Sequence, residues 1–120
     1  MTVSTEIFTA LQSSVGGRCY PDTFMQPDGN LPTWPAIRYS IVGGETHPDI
    51  CGTGDGSTDT ARVQIDIVGA THASRESVLA AVRTAMESMT TPTTLQSTPR
   101  MEYENETKTY RAILDYYIHS

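Results

Sequence analysis

Apolar and polar residues alternate without a break from Arg62 to Ile67. Val63, Ile65 and Ile67 fall on one side of an extended chain, and Arg62, Gln64 and Asp66 on the other. This period of two predicts a strand over 61–68 with one face buried and one wet. After Gly69-Ala70 the period changes. Val78, Val82, Met86 and Met89 recur at helical spacing, and Leu79, Ala81 and Ala85 widen the stripe, which predicts an amphipathic helix. Thr71 or Ser74 can accept its first free N–H groups. Thr90-Thr91-Pro92 ends it, because proline disfavours a helical residue before it. A strand that runs straight into a helix lays the helix stripe over its own apolar face, so this unit is half of a two-layer core.

The other segments complete that core. Ile7, Phe8, Leu11 and Val15 make a first helical stripe, terminated by Gly16-Gly17. Arg18-Cys19-Tyr20 is long enough for a brief strand before Pro21. Residues 21–35 hold four prolines and a Pro-Asp-Gly turn signal. They predict a connecting loop docked through Phe24, Leu31 and Trp34. Ala36 to Val42 is a second strand, with Ile37, Tyr39 and Ile41 on one face and Arg38, Ser40 and Val42 on the other. Thr93 to Tyr103 is a weaker strand whose Pro99 favours an edge position or a bulge. Lys108 to His119 is the last strand. Tyr110, Ala112, Leu114, Tyr116 and Ile118 face one way, and Arg111, Ile113, Asp115, Tyr117 and His119 the other. The expected fold is α+β: two helices on one face of a mostly antiparallel sheet of four to five strands.

Between the second and third strands, residues 43–60 carry five glycines, four acids and no lysine or arginine. Such a segment buries too little to order itself, so it is expected to be the tip of a long hairpin. Nine residues out and nine back reach up to ~30 Å from the sheet. The last strand, by contrast, has a second face too apolar for a purely solvated surface. Ile113 and Tyr117, with Val42, suggest a patch covered by a neighbouring molecule.

The chain has 120 residues and a formal charge of −6, with Lys108 as its one lysine and seven scattered arginines. One domain over 1–120 is expected. The acidic balance disfavours binding to nucleic acid by phosphate neutralisation. It also disfavours reading Tyr103, Tyr110, Tyr116 and Tyr117 as base-stacking residues of a single-strand binder. No basic-then-apolar leader and no spanning stretch of about 20 apolar residues occurs, so the expectation is a soluble, non-exported chain. Cys19 and Cys51 show no redox or metal spacing and are expected as free thiols.

Candidate chemistry is thin. His47, His72 and His119 have no strong local signature. His47 with Cys51 is half of a zinc site at best. Asp55-Gly-Ser-Thr-Asp59 lacks the acid alternation and terminal Glu of a calcium loop, and Gly52-Thr-Gly-Asp-Gly56 lacks the Gly-Lys-Ser/Thr of a phosphate loop. No catalytic residue, metal or cofactor is assigned.

Taken in order, the segments resemble a family. They are Val15-Gly-Gly-Arg-Cys-Tyr-Pro21, the proline-rich loop, Leu31-Pro-Thr-Trp-Pro-Ala-Ile-Arg-Tyr39, Ala61-Arg-Val-Gln-Ile-Asp-Ile67, Ser77-Val-Leu-Ala-Ala-Val-Arg83 and the Tyr-Arg-Ala-Ile-Leu-Asp-Tyr finish at 110–116. The chain is similar to the small tail-completion or tail-terminator proteins of long-tailed bacteriophages, related to the lambda minor tail protein U. The resemblance implies a structural protein and not an enzyme. It implies a ring, commonly of six copies, at the head-proximal end of the tail tube, located in the virion tail after assembly in the host cytoplasm. Its partners would be its own copies, the tail tube protein and a head-completion or connector protein, with DNA passing through unbound. On that reading Val42, Ile113 and Tyr117 are oligomer-contact candidates. Glu45, Asp49, Asp55 and Asp59 would face the lumen or the head-side rim, where acids repel passing phosphates. The alternatives are another head-to-tail connector component or a small hydrolase or nucleic-acid-processing domain.

Overall fold

The computed structural model describes residues 3–24, 29, 31–47, 58–89, 93–96 and 98–119. Helix α1 (Val3–Leu11) tightens into a 3-10 turn (Gln12–Val15) that Gly16 stops at φ 59°, a left-handed conformation open to glycine at little cost. Ile7, Leu11 and Val15 from this segment are all within 1% of complete burial. Helix α2 (His72–Glu87) starts where Thr71, in extended backbone, accepts the Ser74 N–H on its hydroxyl at 3.1 Å. Thr71, and not Ser74, is therefore the cap. Val78, Leu79, Val82 and Met86 are buried, while Ala81 lies on the exposed side and does not belong to the stripe. Thr90-Thr91-Pro92, expected to end this helix, lies outside the described residues.

The fold is α+β, and the sheet has six strands in five positions. Strand β1 (Cys19–Pro21) pairs parallel with β2 (Ala36–His47), which pairs antiparallel with β3 (Thr58–Gly69). The other side of β3 takes β6 (Thr109–His119), also antiparallel. Two short strands share the far edge of β6: β4 (Thr93–Leu95) lies against residues 116–118 and β5 (Arg100–Glu104) against residues 109–113. The single weak strand expected over 93–103 is thus broken near Pro99, which has no N–H to give to a ladder. Counting this break and the parallel β1 accounts for the difference from four or five strands.

The hairpin of β2 and β3 also departs from expectation. Gly43 to His47 and Thr58 to Thr60 are strand, not loop, with Glu45 opposite Thr60 and Thr46 opposite Asp59. Glycine pairs have poor intrinsic strand preference, but ladder formation depends on the partner, and β3 supplies a continuous one. The register shifts once, between Ile41 and Gly43, leaving Val42 as the extra residue of a bulge. The proposed long reach rested on all eighteen residues. Its remaining part, residues 48–57, lies outside the described residues.

Both helices cover the same face of the sheet. Ile7, Leu11, Val78, Val82 and Met86 pack on Ile37, Val63, Ile65, Ile67, Leu114 and Ile118 in one cluster. The layer is narrower than the sheet: Ile41, on the core-facing side of β2 by alternation, is 48% exposed, as is Tyr103 on β5. On the opposite face a second, small cluster forms. Phe24 and Trp34 of the proline-rich segment meet edge to face, with centroids 5.3 Å apart, over Ala36 and Val68. The loop is docked as expected through these two rings. Leu31 is not an anchor, at 52% exposure.

Candidate interaction face

The helix-free face is ordered by the strand register. Arg38, Asp66, Ile113 and Arg100 form one row across β2, β3, β6 and β5. Ser40, Gln64 and Asp115 form the next, followed by Arg62, Tyr117 and Thr94. Alternation alone predicts that this face is wet. At Asp66 it is not, for this residue is only 2% exposed. The aromatic rings of Phe24 and Trp34 close one end of the face around Val68, two residues further along β3.

A buried carboxylate without a counter-charge is prohibitively costly, and two guanidinium groups meet that cost here. Arg38, directly opposite, and Arg111, on the diagonal, each donate from Nη2 to the same oxygen, Asp66 Oδ2, the latter at 3.1 Å. Asp66 Oδ1 and Arg111 Nε are buried without a partner among the described residues. Arg38 also stacks its guanidinium over the Phe24 ring, 5.3 Å from the centroid. Beside this group opens a cleft of about 270 Å³, lined by the apolar Phe24, Leu31, Trp34 and Val68 and by the charged Arg38, Arg111 and Glu104. Periodicity along the chain does not announce this constellation. Its signal was present: Arg38, Asp66 and Arg111 all occupy the polar side of their strands, and only the pairing brings them together.

The three oligomer-contact candidates fall around Arg62 and Asp66. Tyr117 is the ladder partner of Arg62, Ile113 that of Asp66, and Val42 is the bulged residue just before Gly43, which also pairs with Arg62. Val42 is 48% exposed, and Ile113 and Tyr117 are half-buried. Ile113 and Tyr117 share a face but are separated by Asp115, so they form two apolar spots and not one continuous patch. The Tyr117 ring stacks near His119 at 6.5 Å, and His119 Nε2 sits 3.0 Å from Thr94 Oγ1. Of the four acids, Glu45 and Asp59 lie on neighbouring rungs of the β2–β3 ladder. Asp49 and Asp55 lie outside the described residues, as does Cys51, and with it the half zinc site; the calcium-like run is described only from Thr58.

Elsewhere, ionisable groups are used for packing. Arg75, 7% exposed, forms an ion pair with Glu76 at 2.8 Å and lies over the Tyr110 ring at 5.6 Å. His72 meets the same ring edge to face at 6.0 Å, and Tyr103 does so at 4.9 Å. Cys19 is buried at 3% exposure, and burial pushes its thiol up to about 12. Among the described residues no three His, Cys, Asp or Glu side chains are grouped to hold a metal ion, and no helix is long and apolar enough to cross a membrane.

A family model described as tail completion protein gp17 matches residues 5–119. The chain belongs to that family. Membership assigns it a structural role in a phage-type tail. Its fold is also similar to a chain of a native gene transfer agent virion, with a TM-score of 0.59 over 98% of this chain and 92% of that one. The two share 14% of their residues, so the likeness is one of fold. No curated protein matches the sequence at a significant level.

Proposed function

We propose that this tail completion protein assembles head to tail into a ring, six copies in the simplest case. The ring caps the head-proximal end of the tail tube, ends tube polymerisation and presents the surface that joins the filled head. The family match over nearly the whole chain carries the reading. The geometry supports it, since a ring subunit needs two different surfaces that complement each other. The two edges of this sheet differ in that way. One edge carries the short parallel β1 and the exposed Ile41 and Val42; the other carries the broken β4 and β5 with the exposed Met101 and Tyr103. Val42, Ile113 and Tyr117 contribute to the contact between copies, and the protein works by shape and burial without turnover.

Its partners are then its own copies, the tube protein and a head-side connector. DNA passes through the ring without specific binding. Glu45, Asp49, Asp55 and Asp59 lie toward the axis or the head-side rim, where they repel phosphates. Replacing all four with neutral residues is expected to leave the fold intact and to impair head joining or DNA passage. Electron microscopy of particles made without the protein tests the central reading. Overlong or unattached tails are expected; tails of uniform normal length that fail only to attach would assign it instead to the connector, and normal attached tails would overturn both.

A further inference from the structure

The two edges of the sheet are open in different ways. Along β1 the outermost main chain is already engaged: the Cys19 N–H donates to Gly17 O at 2.9 Å, Pro21 has no N–H, and Pro21 O accepts the Thr23 N–H at 2.7 Å. β1 is therefore closed to a further strand. Beyond Tyr39, by contrast, no strand among the described residues lies outside β2. The Ile37 N–H donates to Arg18 O and Tyr39 O accepts the Asp22 N–H, so odd residues of β2 turn their main-chain groups outward, and Ile41 is the next. The bulge at Val42 passes the following outward pair to Gly44. At the opposite edge the Gln96 N–H reaches Asp115 O, which fixes the odd residues of β6 as those facing β4 and β5. Arg100 and Glu102 pair with two of them, Ile113 and Arg111, and so turn inward; Met101 and Tyr103 turn their N–H and C=O groups out.

We propose that β5 of one copy adds antiparallel to the free stretch of β2 in the next, with Tyr103 opposite Ile41 and Met101 opposite Gly44, so that the sheet runs on from subunit to subunit. The pairing rests on the ring reading above and names the contact that builds it. Three features favour a second copy as the occupant. Strands β2, β3, β6 and β5 alternate in direction across the sheet, so a next copy set in the same sense presents its β2 antiparallel to β5 without inversion. Ile41 and Tyr103, both 48% exposed, and Met101, 43% exposed, stand on the helix-bearing face outside the helix layer, and this register closes them on one another. On the helix-free face Glu102 falls opposite the bulge, where Gly43 has no side chain, and the exposed Arg62 lies just behind it, two strand spacings or about 10 Å away. An acid on one edge thus meets a base behind the other.

Paired cysteines test the register. In a Cys51→Ser background, Ile41→Cys and Tyr103→Cys place thiols on a hydrogen-bonded cross-strand pair whose Cα atoms are about 5.5 Å apart, within the span of a disulfide. Cys19 is buried and does not compete. The full chain is mixed with the tail tube protein of its phage, oxidised and run on a non-reducing denaturing gel. The double variant is expected to give a ladder of linked copies, and either single variant only unlinked chains, because position 41 meets position 103 and neither meets itself. Met101→Pro removes an N–H that points away from β6, as edge strands tolerate. It is expected to stay folded by circular dichroism and to cap tubes at least about tenfold more weakly. Capped tubes with no ladder, dimers from a single variant, a link to the tube protein, or parental capping by folded Met101→Pro would each overturn the pairing. Failure of the ring reading is distinct: a parent protein that caps no tubes would end that reading, and the pairing with it.

Discussion

Arg111 reaches along the diagonal of the β3–β6 ladder and donates from Nη2 to Asp66 Oδ2 at 3.1 Å, the same oxygen that Arg38 engages from β2. One buried carboxylate therefore ties the three long strands together. Because either arginine alone still neutralises it, Arg38→Ala and Arg111→Ala are each expected to cost about 1–2 kcal/mol. The double variant leaves Asp66 uncompensated and should cost about 4–5 kcal/mol, more than the sum of the smaller values. Urea unfolding of the two single variants and the double variant measures the coupling. Additive losses would show that the two arginines contribute independently and that neither stands in for the other at Asp66.

Gly69 joins β3 to α2 under a steric constraint. A Cβ at this position would sit 2.9 Å from the Arg75 backbone nitrogen and 3.3 Å from the Thr71 carbonyl oxygen. Both are main-chain atoms of the first turn of α2, so the helix would have to shift off the sheet. Gly69→Ala is expected to destabilise by about 2–3 kcal/mol, an overpacking cost, with the loss visible in thermal unfolding. A neutral result would mean that the entry into α2 is far more compliant than its capping bond implies.

Cys19 provides a pH prediction with a definite sign. Burial raises its thiol from 9.0 to about 12, so the folded state holds this proton longer than the unfolded chain does. The stability it contributes is fully present below about pH 9 and is lost as pH rises toward 12. Burial raises Tyr116 as well, which adds a loss of the same sign at the alkaline end. Stability measured from pH 8 to 11 should fall, and part of the fall should vanish in Cys19→Ala. In a Cys51→Ser background the native thiol should react with a disulfide reagent at pH 8 far more slowly than after unfolding, because burial both shields it and keeps it protonated, and only the thiolate attacks. Comparable rates would show that the core opens readily at β1.

Periodicity carried most of this fold. Val63, Ile65 and Ile67 point to the helices as their alternation requires, and Pro99 breaks the edge strand where a missing N–H must. What was illegible follows from partners outside the local window. Gly43 and Gly44 form strand because β3 runs beside them, and the parallel pairing of β1 with β2 is a choice of partner that no local pattern in residues 19–21 encodes. Asp66 reads as a wet residue until Phe24 and Trp34, over thirty positions away, cover that end of the face. The cleft was hidden for the same reason, since Arg38 and Arg111 are 73 positions apart and meet only through β3.

The residues proposed to meet a second copy yield the sharpest separation between folding and assembly. Val42 is 48% exposed and Tyr117 half-buried, so a charge on either has water within reach in the single subunit. Val42→Glu and Tyr117→Glu are therefore expected to lower the melting temperature by only a few degrees, as surface changes do. In a contact between copies the same carboxylate would be desolvated opposite apolar atoms and would oppose association strongly. Ile113→Ser removes a methyl-rich side chain from the same face and should act more weakly. Sedimentation of each variant with tail tube protein checks this: capped tubes with the parent protein, and folded but unassembled subunits with the two Glu variants. Capping at parental levels by both would move the contact between copies away from Val42 and Tyr117, toward the strand edges at Ile41 and Met101.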